Sequence, residues 1–122
     1  GNQMVLLRGI NDDPVAVETL NRWLVRHRCR PYYMLQCDPV RGTAHLRTPV
    51  DTGVEILDAL RGRVSGLAIP QLVVDLPGGG GKVTLTPERL VRREGRARTF
   101  RSATGEEHTY VDPDPAERPL RK

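Results

Sequence analysis

The chain has 122 residues, 38% of them hydrophobic and 28% charged, with a formal net charge of +4. That is one ordinary domain or a piece of a larger one. Its strand-like apolar runs exclude a disordered chain, none approaches the ~20 residues that span a bilayer, and two cysteines, Cys29 and Cys37, are too few for a disulfide scaffold or a Cys-rich zinc site. No secretory apolar segment stands at the N-terminus, so the cytoplasm is the expected compartment. The chain opens on Gly1-Asn2-Gln3-Met4, directly at a strand, as a fragment would. Aromatics make up 4%, which leaves the core to Leu and Val. The basic residues are uneven: seventeen are Arg and two are Lys, and Lys82 is the only internal lysine.

Met4 to Leu7 is a short apolar run that reads as a buried strand, ending at Arg8-Gly9. Asp13 then suits an N-cap and Pro14 the first helical position. Val17, Leu20 and Leu24 fall at helical spacing, which predicts a helix from Pro14 to about Arg28, with Arg26, Arg28 and Arg30 near a C-terminus that favours cations. Pro31 is expected to stop it, and Tyr32 to Cys37 reads as a second strand. Strand, helix, strand is the unit of a parallel sheet, whose ligands sit at the C-terminal strand ends. Here those ends are Arg8-Gly9 and Gln36-Cys37-Asp38.

After an irregular stretch from Pro39 to Arg47, Thr48-Pro49-Val50-Asp51 resembles a capping-box variant. Val50, Val54, Leu57 and Leu60 form one apolar face, and Gly62 suits the position just past the helix. Gln71 to Leu76 reads as a third strand, carrying Asp75 and running into Pro77-Gly78-Gly79-Gly80-Gly81-Lys82. Val83 to Pro87 is a poor helix start. Arg89 to Arg101 predicts a hairpin turning at Gly95, and Glu107 to Val111 one more strand. The tail from Asp112 is expected to be extended.

The glycine-rich run allows close backbone approach to a ligand. It is not a phosphate-binding P-loop: Leu76 stands where that motif needs its first glycine, and Val83 follows Lys82 in place of Ser or Thr. A flexible surface loop with a solvated lysine is the plainer reading. Against it stands the arginine bias. A lysine kept in such a chain suggests a role that guanidinium cannot fill, because only the amine can lose its proton and form a Schiff base. A carbonyl cofactor such as pyridoxal phosphate is the obvious partner.

Asp38 and Asp75 each stand at a strand end. If the strands are parallel neighbours, both carboxylates lie on one rim, where they could hold an ammonium group or a metal. Turn or capping roles are the commoner use of an isolated aspartate. Without a His or Glu ligand set, a metal is the weaker option. Residues 83–101 carry six Arg against two Glu. A solvated hairpin face explains them better than nucleic-acid binding, since Phe100 alone is available there for stacking. His45 is a lone histidine, more often structural than functional.

Taken together, Gly1-Asn2-Gln3 with Leu7-Arg8-Gly9-Ile10-Asn11-Asp12, Pro31-Tyr32-Tyr33 with Gln36-Cys37-Asp38, Arg47-Thr48-Pro49-Val50, Leu60-Arg61-Gly62 with Ser65-Gly66, and Val73-Val74-Asp75 with Pro77 to Lys82 closely resemble the lysine 2,3-aminomutase family. The likeness runs in register from Gly1 to about Pro87 and more weakly to about Pro113. Its specificity lies in the ordered set, with 37 positions from Asp38 to Asp75 and seven from Asp75 to Lys82.

The resemblance implies an α/β fold. It would be part of a radical S-adenosylmethionine partial (β/α) barrel with parallel strands over 1–87, a β-hairpin extension over 88–111 and an extended tail over 112–122. It implies an isomerase interconverting L-lysine and β-lysine by radical amino migration. The implied cofactors are pyridoxal phosphate, S-adenosylmethionine and a [4Fe-4S] cluster. Lys82 would hold pyridoxal phosphate as a Schiff base, with Gln3 a candidate contact, and Asp38 and Asp75 would bind the ammonium of substrate lysine. Relatives acting on glutamate are expected to lack that acidic pair. The cluster-binding Cys-x-x-x-Cys-x-x-Cys motif is absent from this sequence, so the cluster ligands would lie outside it. The implied partners are the N-terminal radical part of the same enzyme and further copies of the full-length protein. Asp13 stands where some family members carry a zinc-binding cysteine, so no metal is assigned to this chain. The alternatives are a relative acting on a protein lysine side chain or on arginine, and a small basic nucleic-acid-binding module.

Overall fold

A computed structural model describes residues 1–116. The elements in order are β1 (Asn2–Leu6), α1 (Pro14–Arg26), β2 (Pro31–Gln36), α2 (Val50–Leu60), β3 (Gln71–Leu76), β4 (Gly81–Leu85), β5 (Leu90–Glu94), β6 (Ala97–Arg101) and β7 (Glu107–Val111). Short 3-10 turns occur at Ala44–Leu46, Gly66–Ala68 and Pro77–Gly79. The chain is mixed α/β with two sheets, and it divides into two compact units between Pro87 and Glu88. No helix among the described residues is long and apolar enough to cross a membrane.

In the first unit the sheet order is β1-β2-β3-β4. The first three strands are parallel and β4 returns antiparallel to β3. The register sorts the side chains into two faces, because successive residues of a strand point to opposite sides. Met4, Met34, Leu72 and Leu85 form one cross-strand row. That face lies under the helices: Leu6, Met34 and Leu72 pack with Val17 of α1 and Ile56, Leu57 and Leu60 of α2. The next row, Val5, Leu35, Val73 and Thr84, belongs to the other face. Val73 is buried there, while Gln3, Val5, Asp75 and Lys82 are exposed.

Local chemistry explains most element ends. Asp13 Oδ1 accepts the Val15 N–H at 3.0 Å, and Pro14 opens α1 as expected. The helix stops two residues short of the expected end. Arg28 adopts a left-handed φ of 60°, and the Cys29 N–H returns to the Leu24 carbonyl at 2.8 Å. Pro31 therefore does not stop the helix; it is buried at the start of β2. The capping box at Thr48 does not form either. Pro49 is the N-cap of α2 and no side chain caps it, while the buried Thr48 hydroxyl has no hydrogen-bond partner. Gly62, at φ 81°, takes the expected position past α2.

Gly53, inside α2, has a packing reason. A Cβ there would lie 2.9 Å from both δ-methyls of Leu72, so any larger residue would require Leu72 to shift. The largest departure from expectation is β4. The stretch after Gly81 reads from sequence as a poor helix start, yet it is a strand. Val83 sits opposite Val74, and Leu85 opposite Leu72, where it packs on the core.

In the second unit β5, β6 and β7 form an antiparallel meander, with Gly95 at φ 57° in the first turn. The expected hairpin and further strand thus join in one sheet. Among its described residues Thr99 alone is buried, with its hydroxyl 3.0 Å from that of Thr109. Arginines and acids meet across its surface: Arg92 with Glu94 at 3.0 Å and Glu107 at 3.8 Å, Arg101 with Glu107 at 3.7 Å, and Arg98 with Asp112 at 3.8 Å. Of the tail expected to be extended, residues 117–122 lie outside the described residues; Asp112 donates its N–H to the Arg96 carbonyl at 2.8 Å.

Candidate functional site

Asp75 and Lys82 lie on the sheet face opposite the helices, with Asp75 near the end of β3 and Asp38 just past the end of β2. Gln3 and Tyr33 share that face but stand in the Gln71 row, four residues back along β3. The turn between β3 and β4 places Asp75 and Lys82. Pro77 starts a 3-10 turn, and Gly78, Gly79 and Gly81 hold φ values of 74°, 78° and 80°, which side chains with a Cβ rarely adopt. Gly80 has an ordinary φ, but a Cβ on it would lie 2.8 Å from Leu76 Cβ. All four glycines thus serve a hairpin turn rather than a phosphate loop. The turn sets Lys82 directly across from Asp75 in the β3–β4 ladder.

Lys82 Nζ donates to Asp75 Oδ1 at 2.9 Å. The two side chains are 48% and 44% exposed, so the pair is reachable from solvent. Asp75, as hydrogen-bond acceptor, is the main reason the Lys82 amine is held above its ordinary pKa. Partial desolvation opposes the shift, and the charge of Asp75, with those of Tyr33 and Asp38, adds to it. Asp38, just past the end of β2, is therefore near enough to act on the same amine. The neighbouring parallel strands β2 and β3 bring the two aspartates to one rim, as their positions at the strand ends suggested.

Tyr33, which the sequence offered only within the Pro31-Tyr32-Tyr33 stretch and with no role, acts on Lys82 through charge from the same face of the sheet. It lies on β2 in the row Gln3, Tyr33, Gln71. Its hydroxyl is held above the ordinary tyrosine value, first by a side-chain hydrogen bond with Tyr32 and then by desolvation, while the Lys82 charge pulls it back. The period-two alternation of β2 was the available signal. Gln3, the candidate cofactor contact, is exposed and directly opposite Tyr33 on β1.

The other candidates make no hydrogen bond or ion pair with this amine among the described residues. His45 is exposed on the Ala44–Leu46 turn. Cys29 and Cys37 are free thiols, and Cys37 Sγ points to the Asp38 carbonyl at 3.7 Å. Gln36 fastens the loop before α2 by donating from Nε2 to the Thr48 carbonyl at 2.7 Å. Among the described residues no group of three or more His, Cys, Asp or Glu could hold a metal ion.

The first unit thus presents one amine paired with a carboxylate at the end of β3, with a second carboxylate just past the end of the neighbouring strand β2. The family model described as Lysine-2,3-aminomutase matches residues 57–119, and the chain belongs to that family. It is 50% identical over 109 residues to the putative L-lysine 2,3-aminomutase of Aquifex aeolicus, a match covering 89% of this chain and 30% of that protein. It is 46% identical over 114 residues to the L-lysine 2,3-aminomutase of Fusobacterium nucleatum, covering 93% of this chain and 27% of that one. It is also 50% identical over 93 residues to the glutamate 2,3-aminomutase of Clostridioides difficile, covering 76% and 22%. The chain thus spans about 30% or less of the length of these relatives.

Proposed function

We propose that this chain supplies the cofactor-amine and ammonium-binding part of a lysine 2,3-aminomutase, an isomerase interconverting L-lysine and β-lysine. The observation that carries this reading is the Lys82 amine on Asp75, with Asp38 acting on it from the neighbouring strand end. Parallel strands with helices on one face, and the polar residues on the other, agree with a segment of a partial (β/α) barrel whose remainder lies in the rest of the enzyme. Cytoplasmic location and assembly of the full-length protein into oligomers belong to the same reading.

The residues fit pyridoxal phosphate. Lys82 is a half-exposed primary amine, and a Cβ on Gly78, Gly79 or Gly81 would meet nothing within 4 Å, so the turn beside it is open. Lys82 would hold the cofactor covalently, with Gln3 on the same face as a contact. The chemistry supplied at Lys82 would be that of a carbonyl cofactor able to carry an amino group and delocalise an unpaired electron. The residues do not fit a [4Fe-4S] cluster: two free cysteines, eight positions apart, are the only thiols. Cluster and S-adenosylmethionine chemistry are assigned to the part of the enzyme outside this chain.

Asp38 and Asp75 choose the substrate. Two carboxylates attract an ammonium and repel a carboxylate, and a partly desolvated charge needs a partner. Half identity to a glutamate-named relative means that overall similarity does not separate the two substrates, so the reading rests on the acidic pair. The arginine stripe does not favour a nucleic-acid module, because Glu94, Glu107 and Asp112 already pair with Arg92, Arg98 and Arg101.

In the full-length protein, Lys82→Ala is expected to abolish both the pyridoxal-phosphate absorbance band and β-lysine formation. Asp38→Asn or Asp75→Asn is expected to raise the KM for lysine by ~10-fold or more, the scale of one charge-assisted hydrogen bond. A band of unchanged intensity in Lys82→Ala would overturn the reading. Product analysis with lysine, arginine, glutamate and lysine-containing protein substrates tests the substrate choice.

A further inference from the structure

We propose that Asp75 is a shared seat for two ammonium groups, occupied by Lys82 itself until that lysine engages a carbonyl cofactor and by the cationic substrate afterwards. This rests on the reading of Lys82 as the cofactor lysine, and it deepens that reading by assigning an order to the site. Lys82 is then both the group that holds the cofactor and an internal stand-in for the substrate.

The geometry supplies the first support. Asp75 and Lys82 are a direct cross-strand pair, Nζ to Oδ1 at 2.9 Å, on a backbone fixed by the glycine turn. The amine can leave the carboxylate by rotating its own side chain while β4 stays in register. Both side chains are about half exposed, and ion pairs of that kind are weak enough to exchange.

Charge balance supplies the second. With Lys82 seated, Asp75 holds the ammonium directly and the charge of Asp38 acts on the same group. Forming a carbon–nitrogen double bond requires the ammonium to release a proton to solvent. The neutral nitrogen then adds to the carbonyl carbon, and the carbonyl oxygen leaves as water. The Lys82 nitrogen is thereby drawn to the cofactor, and two carboxylates remain without a cation. One ligand ammonium restores the starting balance. A carboxylate-bearing side chain would add a third negative charge.

The third is the direction of control. The titratable groups acting on Lys82 are Asp75 from β3, Tyr33 from β2 and Asp38 just after β2, and each favours the protonated amine. While seated, the amine has no free electron pair. The pair therefore delays cofactor attachment until Lys82 leaves Asp75, and keeps the carboxylate satisfied in the meantime.

The test uses the full-length protein, with pyridoxal phosphate as the probe. The adduct is reduced with borohydride, located by mass spectrometry at Lys82, and measured as a function of pH. Lowering pH protonates the amine and removes adduct. Asp75→Asn should shift the adduct midpoint to lower pH, giving more adduct at any fixed pH below the wild-type midpoint. Asp75→Glu, which keeps the carboxylate, should return the midpoint toward wild type and controls for misfolding. In parallel, NMR titration of isotopically labelled lysine, with Lys82 assigned through Lys82→Arg, should show its amine titrating at lower pH in Asp75→Asn. An adduct at Lys82 with the same midpoint in wild type and Asp75→Asn would overturn the shared seat alone. No adduct at Lys82 in either protein would overturn the reading on which it rests.

Discussion

The two units of this chain are held together in different ways. The first, Gly1–Pro87, buries Leu6, Met34 and Leu72 of its sheet against Val17, Ile56, Leu57 and Leu60 of two helices. The second, from Glu88 onward, buries Thr99 alone among its described residues and leaves Phe100, Tyr110 and Val111 exposed. Its order comes from ladder hydrogen bonds, a Thr99–Thr109 hydroxyl contact and surface ion pairs. Side-chain burial contributes kilocalories per residue, whereas exposed ion pairs contribute fractions of one. The site sits in the unit that has the core, where a rigid sheet can hold two carboxylates and an amine in fixed relation.

Substitutions should reproduce that contrast. The largest stability effect is expected at Leu72, fully buried at the centre of the helix-covered face. Leu72→Ala should cost ~2–5 kcal/mol, read as a lowered urea midpoint. A loss under 1 kcal/mol would mean that the core carries less of the fold than its burial implies. Next is Gly53→Ala. The new Cβ would overlap both δ-methyls of Leu72, an overpacking cost of ~1–3 kcal/mol that the ~1 kcal/mol helix preference of alanine offsets in part. A stabilised variant would show that Leu72 can move aside. The smallest effect is expected in the meander. Glu107→Ala removes the acid shared by Arg92 and Arg101 and should cost less than ~1 kcal/mol, shrinking further at high salt. A larger, salt-insensitive loss in denaturation at two ionic strengths would break the comparison.

Much of the first unit was legible in the residues. Asp13-Pro14 announced the start of α1, Gly62 the end of α2, and the apolar run from Gln71 the third strand, because each depends on neighbours in sequence. The misreadings share a different cause. Thr48 looks like a cap but lies buried, with Gln36 bonded to its carbonyl. Arg28 looks like a last helical turn but takes a left-handed conformation. The glycine run looks like a loop because a strand after it is stabilised only by pairing with β3, and that partner cannot be seen locally.

By itself the sequence determined which residue types were available: one internal lysine among arginines, two aspartates at strand ends, and a resemblance that named their roles. These are properties of composition and spacing. Only the tertiary structure decided that Lys82 faces Asp75 at 2.9 Å, that Asp38 and Tyr33 act on the same amine, and that the glycines build a hairpin. The physical reason is that strand register and side-chain facing are set by long-range pairing. A one-residue slip of β4 would leave the sequence unchanged and turn Lys82 to the helix-covered face, away from Asp75.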